Sequence, residues 1–281
     1  DWRMKASAKN ISLAFFLVLT AVPLGAGLID ALLYSLGLTG ILNNGFTLEH
    51  WQKLLLGGAF WWSLGFSAWV AFATMAISVV LALGAVLRWQ RAFAGRFLSF
   101  LIYLPLVFPA MVVGFYTFQM LSKSGVFSRV SHQLGWIDNL NQFPDWINDN
   151  WGIGIIVAHA FMATPFLIIL FSNLYQNERL EEFVKLAETL GASQRQITLR
   201  VTTPVLLNRA FATLVLYFIF VMSSYEIPLL LGSQSREMIS VLTIRKLQRF
   251  NLNDIPQAYA ISVLYGAVLI TLVVNLLGKK M

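Results

Sequence analysis

A chain of 281 residues that is 58% hydrophobic and only 12% charged lacks the polar surface to cover a water-soluble globule of its size; the solvent that suits it is a lipid bilayer. Its formal charge of +7 comes as short basic clusters between apolar runs, the arrangement of topology signals and membrane surfaces rather than of a nucleic-acid-binding face. With no cysteine, disulfides, thiolate metal sites and cysteine catalysis are excluded.

About 20 mostly apolar residues cross the hydrocarbon core as a helix. Six stretches qualify: Ile11–Leu36, Phe60–Leu87, Phe97–Leu121, Trp151–Leu174, Leu206–Leu231 and Ala258–Leu277. None alternates as barrel strands do. Long continuous apolar runs demand helices, which satisfy their own backbone. The first run is read as a span and not as a cleaved secretory signal, because it is long and similar runs follow it. The basic residues favour both termini inside, with Arg88, Arg91 and Arg96 as the clearest inner cluster. The last outer connection, with Arg236, Arg245, Lys246 and Arg249, is basic too and weakens that asymmetry without reversing it. On the outer side, Phe46 to Trp51 reads as a short interfacial helix with Thr47 as N-cap. In the long segment Ser122–Asn150, Trp136 and Trp146, with Trp151 just after it, suggest a stretch lying along the membrane surface. The chain reads as a single transmembrane domain over residues 1–281, with no repeat and no second soluble domain.

The segment Tyr175–Pro204, between the fourth and fifth spans, is unlike the other connections. Leu180, Phe183, Val184, Ala187 and Leu190 recur at helical spacing and form one face. Glu178, Glu181, Glu182, Lys185 and Glu188 fall mainly elsewhere, and Glu181 and Lys185 are spaced for an ion pair. Gly191 is a helix stop able to turn left-handed, Ser193 caps a second short helix to about Val201, and Pro204 marks the start of the fifth span. A plain connector would be shorter. The element either docks a partner or lies flat on lipid.

Ala187-Glu188-Thr189-Leu190-Gly191-Ala192-Ser193, with Ile197 and with Pro204 thirteen residues after Gly191, resembles the EAA loop of ABC importer permeases. Aligned on Gly191, the signature Glu-Ala-Ala positions fall on Lys185, Leu186 and Ala187, of which only Ala187 matches. The Ile-x-Leu-Pro end reads Val201-Thr202-Thr203-Pro204. Three further stretches are similar to permeases for polyamines, ferric iron, sulfate and thiamine: Phe46 to Trp51, Leu104 to Pro109, and Ser224-Tyr225-Glu226-Ile227-Pro228 through Gly232. The resemblance implies an all-α membrane protein with six transmembrane helices, the type I ABC importer permease (MetI-like) fold, and both termini cytoplasmic in a bacterial inner membrane. It implies a docking loop over residues 175–204 with Glu182, Lys185, Leu186, Ala187, Glu188, Gly191, Ala192, Ser193 and Pro204 at or near the contact. It also implies the partners: ABC ATPase subunits, a second permease subunit identical or homologous, and an external substrate-binding protein. No phosphate-binding Gly-rich loop ending in Gly-Lys-Ser/Thr is present. ATP and Mg are therefore expected on the partner ATPase, with no cofactor or metal on this chain and no covalent chemistry of its own.

Ionisable and polar groups inside spans mark candidate pathway residues. Glu226, near the outer end of the fifth span and just before Pro228, either faces the substrate path as a gate or pairs near the interface with a basic group such as Arg236. Pro228 removes a backbone donor and loosens the helix there. Ser223, Ser224 and Tyr225 line the path or, for the serines, serve helix packing. His159 lines the path or is a buried hydrogen-bonding partner. Asp30 reads as interfacial. Two other classes compete. A proton- or ion-coupled secondary transporter would use Glu226 or Asp30 but has no use for an amphipathic docking loop. An intramembrane serine protease would pair Ser67, in Gly65-Phe66-Ser67-Ala68, with His159, although the second glycine of the expected motif is missing.

Overall fold

The computed structural model describes residues 2–40, 45–93, 96–249 and 251–278, and among these the chain is helical with no strand. The helices are α1 (Trp2–Ser35), α2 (Glu49–Leu56), α3 (Ala59–Phe93), α4 (Arg96–Val107), α5 (Ala110–Leu121), α6 (Val126–Gln133), α7 (Ile153–Asn177), α8 (Leu180–Thr189), α9 (Gln194–Ile197), α10 (Thr203–Met222), α11 (Glu226–Leu231), α12 (Ile239–Gln248) and α13 (Asp254–Leu277). Five are long and apolar enough to cross a membrane, and a sixth crossing exists if the bent pair α4–α5 counts as one span. Of the basic residues that carry the topology reading, Lys279 and Lys280 lie outside the described residues, as do the side chains of Arg3, Lys5, Lys9, Arg91 and Arg96.

The chain divides into two compact units. The first comprises Asp1–Trp61 and Leu242–Leu272. In it Tyr34 stacks on Tyr259 with ring centroids 4.4 Å apart, and Trp51 Nε1 donates to Ser35 Oγ. The apolar span of α1 is almost wholly exposed, as suits a helix solvated by lipid tails, whereas α13 buries Pro256, Ala258, Ala260 and Ile261 in its first turns and is mostly half-buried beyond them. The interfacial helix α2 starts at Glu49, one residue later than a Thr47 cap implies, yet the Thr47 hydroxyl still accepts from Glu49 N–H. Lys53 sits 2.6 Å from Glu49 and holds that carboxyl below its ordinary range. At the start of α13 the buried carboxylate of Asp254 meets Lys246 and Arg249, and Lys246 also donates to Gln257.

The second unit, Trp62–Val241 with Val273–Met281, holds a buried hydrophobic core. Met75, Ala82, Leu83 and Val86 of α3 pack with Leu167 and Phe171 of α7 and with Leu206 and Ala210 of α10. Small buried residues on one face of α3 (Ser63, Ser67, Ala71, Thr74, Ser78 and Ala82) let neighbouring backbone approach closely. In the connection 122–150, Phe143 and Ile147 are buried, Phe143 meets Trp146 edge-on, and Asn148 N–H donates to the Leu231 carbonyl. Trp146 is therefore a packing residue of a folded connection, whereas Trp136 is exposed.

Two expected spans are broken. The third is not one helix over Phe97–Leu121: Phe100–Val107 and the helical stretch after it meet at 100°. Pro109 causes the break. It lacks an N–H and disfavours helical backbone at Phe108, and it sits extended (φ −59°, ψ 146°) as the N-cap of α5. The fifth is not one helix over Leu206–Leu231 either. It begins at Gln194, runs to Met222, breaks at Ser223–Tyr225 and resumes as the six-residue α11. Pro228 has no N–H to return to the Ser224 carbonyl four residues earlier, and that carbonyl instead accepts from the Ser240 hydroxyl.

Candidate docking element and the junction of two broken spans

The Tyr175–Pro204 segment is a folded element attached firmly to the bundle. Leu180, the first residue of α8, is fully buried in the core formed by α3, α7 and α10. Glu178, at the end of α7, pairs with Arg209 of α10 at 3.0 Å. Helix α8 closes in a Schellman turn. Ala192 N–H donates to the Ala187 carbonyl and Gly191 N–H to the Glu188 carbonyl, with Gly191 left-handed at φ +80°. Ser193 then caps α9 in a reciprocal box with Gln196. Glu188 accepts from Gln194 Nε2 at 2.8 Å and so staples α8 to α9 across the turn.

The single apolar face expected on α8 divides into two. Leu180, Val184 and Ala187 form the stripe turned to the protein, with Leu180 fully buried and the other two partly so. Phe183, Leu186 and Leu190, offset by three and seven residues, are open, Leu190 at 80% exposure, and Leu199 is open beyond the turn. Of the residues read from the loop motif, Leu186 is in the open set. Glu182 and Lys185 are exposed and engaged in pairs with Arg179 and Glu181. Glu188, Gly191 and Ser193 build the turn, Ala187 and Ala192 are half-buried within it, and Pro204 lies outside it on α10. The motif singled out neither Phe183, Leu190 and Leu199 as the open surface nor Leu180 as the plug. The apolar periodicity names most of them but carries no information on which stripe faces the bundle.

Helix α9 does not end before the fifth span, as a span starting at Pro204 would require. It continues through a π-helical turn at Thr198–Thr202 directly into α10, with Thr203 N–H donating to the Thr198 carbonyl five residues back. The cause is Pro204, whose ring crowds the Arg200 carbonyl and which offers that carbonyl no donor. A wider turn accommodates it without breaking the rod. One helix of 29 residues, Gln194–Met222, thus joins the glycine turn to the break at Ser223–Tyr225, a length of about 43 Å.

At the far end of that rod the two broken spans meet. Helix α11 packs on α5, closely enough that a side chain at the buried Gly114 would touch Leu230 and Ile227. Glu226, at the start of α11, accepts from Met111 N–H at 3.0 Å, one of the donors that the first turn of α5 leaves unpaired. Pro109 provides no side-chain cap, so a carboxylate 115 residues further along the chain does that work. Glu226 does not meet Arg236, which donates to the Asn150 carbonyl. His159 is a buried partner, 2% exposed, and shares a hydrogen bond of 2.8 Å with Ser224 Oγ. Ser224 is thereby held on both sides, by His159 through its hydroxyl and by Ser240 through its carbonyl. Ser223 and Tyr225 are half-exposed beside it, Pro228 is buried, and Asp30 is exposed on α1. The Ser67 hydroxyl is fully buried and accepts from Ile239 N–H. His159 and Ser67 therefore each serve a different partner, and the protease pairing is not formed.

Residues 75–280 match the family described as binding-protein-dependent transport system inner membrane component. The chain is similar to the thiamine transport system permease protein ThiP of Brucella suis, 26% identical over 221 residues, which cover 77% of this chain and 38% of that protein. It is also similar to the "probable ABC transporter permease protein y4fN" of Sinorhizobium fredii, 30% identical over 195 residues, which cover 67% and 32%. The chain thus spans only about a third of the length of these relatives. Among solved structures, a bacterial alginate ABC transporter in complex with an alginate pentasaccharide-bound periplasmic protein aligns over 98% of this chain and 92% of its own, with a TM-score of 0.69 at 17% identity. A bacterial ABC transporter involved in importing the acidic polysaccharide alginate aligns over 99% and 95%, with a TM-score of 0.70 at 16% identity. At those identities the likeness is one of fold. The family match takes in the core, the Tyr175–Pro204 element and both broken spans, and the chain belongs to the family of binding-protein-dependent transport system inner membrane components.

Proposed function

We propose that this chain forms half of the substrate pathway of an ATP-driven importer and that α8 with the Gly191 turn is gripped by a separate ATPase subunit. One observation carries the reading. Phe183, Leu186, Leu190 and Leu199 stand open on a folded, plugged and capped element. Rigid exposed apolar surface of this kind is what a partner groove covers, at about 1.5–3 kcal/mol for each large side chain fully buried. An element that merely rested on lipid would need no Schellman turn, capping box and Glu188 staple to fix its end.

In this reading both termini and the α8–α9 turn face the cytoplasm, and α2, α6 and the connection 122–150 face outward. A second permease subunit completes the pathway. ATP and Mg are handled by the ATPase subunits and substrate is delivered by an external binding protein, so this chain performs no covalent chemistry. The fold neighbour solved in complex with a pentasaccharide-bound periplasmic protein supports such a division of labour. The pathway runs past the junction of the broken spans, where Ser223, Ser224, Tyr225 and Glu226 interrupt the apolar wall. Discontinuous helices are tolerated at membrane depth where they are buried in protein or line a cavity.

The test is reconstitution in liposomes with the cognate ATPase and binding protein. We expect uptake that requires ATP and the binding protein, and that vanadate abolishes. Uptake driven by an ion gradient with the permease alone would overturn the reading in favour of a secondary carrier.

A further inference from the structure

We propose that Glu226 is a latch: its carboxylate caps the broken third span in one state of the transport cycle and releases it in another, under control of the helix that carries the docking turn. The proposal rests on the reading of α8 as an ATPase-docking element and names what that element acts on.

Three observations converge. The first turn of α5 has no side-chain cap of its own, since Pro109 has no polar side chain to accept from its N–H groups. The Pro109 carbonyl takes Val112 and Val113 N–H, and Met111 N–H goes to Glu226. Second, the capping carboxylate belongs to another broken span, at the first residue of a helix only six residues long. Third, what precedes Glu226 in the chain is a three-residue break and then the single rod back to Gln194, next to the Gly191 turn. A displacement at the docking turn therefore arrives first at the residues that place this carboxylate.

Hydrogen bonds weaken steeply with distance and misalignment. A displacement of the Glu226 carboxylate by roughly an ångström, passed on from the end of the rod, is enough to separate it from Met111 N–H while the neighbouring Ile227 stays packed against Gly114 of α5. A helix N–H shielded from water is costly to leave unpaired, so Met111 N–H is either held by Glu226 or taken by another acceptor, and the junction has two discrete arrangements, capped and released, rather than a continuum. The side contacts of the break fix where the motion goes. Ser224 is tied to His159 and Ser240, so it serves as the pivot while Glu226, exposed at the surface of the junction, is free to swing. Glu226 is accordingly a positioning residue. It touches α5 and not a reacting group.

Hydrogen–deuterium exchange on the permease–ATPase complex in lipid nanodiscs tests this. In the wild type, exchange at Met111 should differ by about tenfold between the nucleotide-free and the vanadate-trapped complex, the loss of protection a cap of ordinary strength provides. Glu226→Ala should exchange fast in both states and lower the substrate moved per ATP hydrolysed by about tenfold, while still copurifying with the ATPase. Glu226→Gln keeps an oxygen able to accept from Met111 N–H and should fall between the two, which separates loss of the cap from a folding defect. Equal exchange at Met111 in both nucleotide states of the wild type overturns the latch and leaves the docking reading intact. Failure of the wild-type chain to bind any ATPase overturns the docking reading and the latch with it.

Discussion

Gly191 shows how much one position decides. Nothing lies within 4 Å of where its side chain would sit, so space does not require glycine. Its φ of +80° does. An L-residue forced left-handed costs about 1–2 kcal/mol, and relief comes by unwinding the Schellman turn that joins α8 to α9. Gly191→Val, or a bulky charged residue at the half-buried Ala187, should leave the chain inserted in the membrane but uncouple hydrolysis from uptake by about tenfold. Paired uptake and hydrolysis assays check this, and coupled transport at the wild-type rate in both variants would count against it. Gly191, Ser193 and the Glu181–Lys185 pair were legible from spacing alone, because their roles are local. The role of Glu226 was not. Its partner Met111 N–H lies 115 residues away and is a backbone group, invisible to any reading of side-chain types. The rival pairing of Ser67 with His159 likewise does not form, because two residue types far apart in the chain say nothing of which element each side chain faces.

At the scale of elements, the prolines make the difference between expected and observed spans. Pro109 and Pro228 break helices, whereas Pro204 is absorbed by a π turn and leaves a continuous rod. All three read alike in a sequence, since each removes one donor and crowds one carbonyl. What separates them is tertiary. The Ser224 carbonyl finds Ser240 and α5 finds Glu226, so breaks are compensated there. The buried Thr202 and the Leu206 core hold the rod straight at the third. Pro204→Ala should restore the missing bond and close the turn as α-helix, rotating the α8–α9 end by about 100°, one residue's worth. Uptake should then fall by about tenfold with expression unchanged. Unaltered uptake would show that the π turn does not set the register of the docking surface.

For the whole molecule, the low charge and the count of apolar runs were enough for class and approximate span number, because lipid imposes helices of known length. The same regularity hides where helices bend, since a broken span and a straight one have the same composition. The architecture that results places an open apolar surface at one end of a 29-residue helix and a junction of two broken spans at the other. That is the arrangement a machine needs if nucleotide is consumed at one place and substrate passes at another. These 281 residues contain no cysteine, so a single introduced thiol has no competitor among them. Leu186→Cys in the assembled transporter, probed with a thiol crosslinker and with a membrane-impermeant thiol reagent, is the most direct test. The account predicts a covalent conjugate with the ATPase subunit and shielding from the reagent in the complex. A thiol that stays freely reactive in the complex, or that is reached only from the side where the binding protein acts, would contradict it.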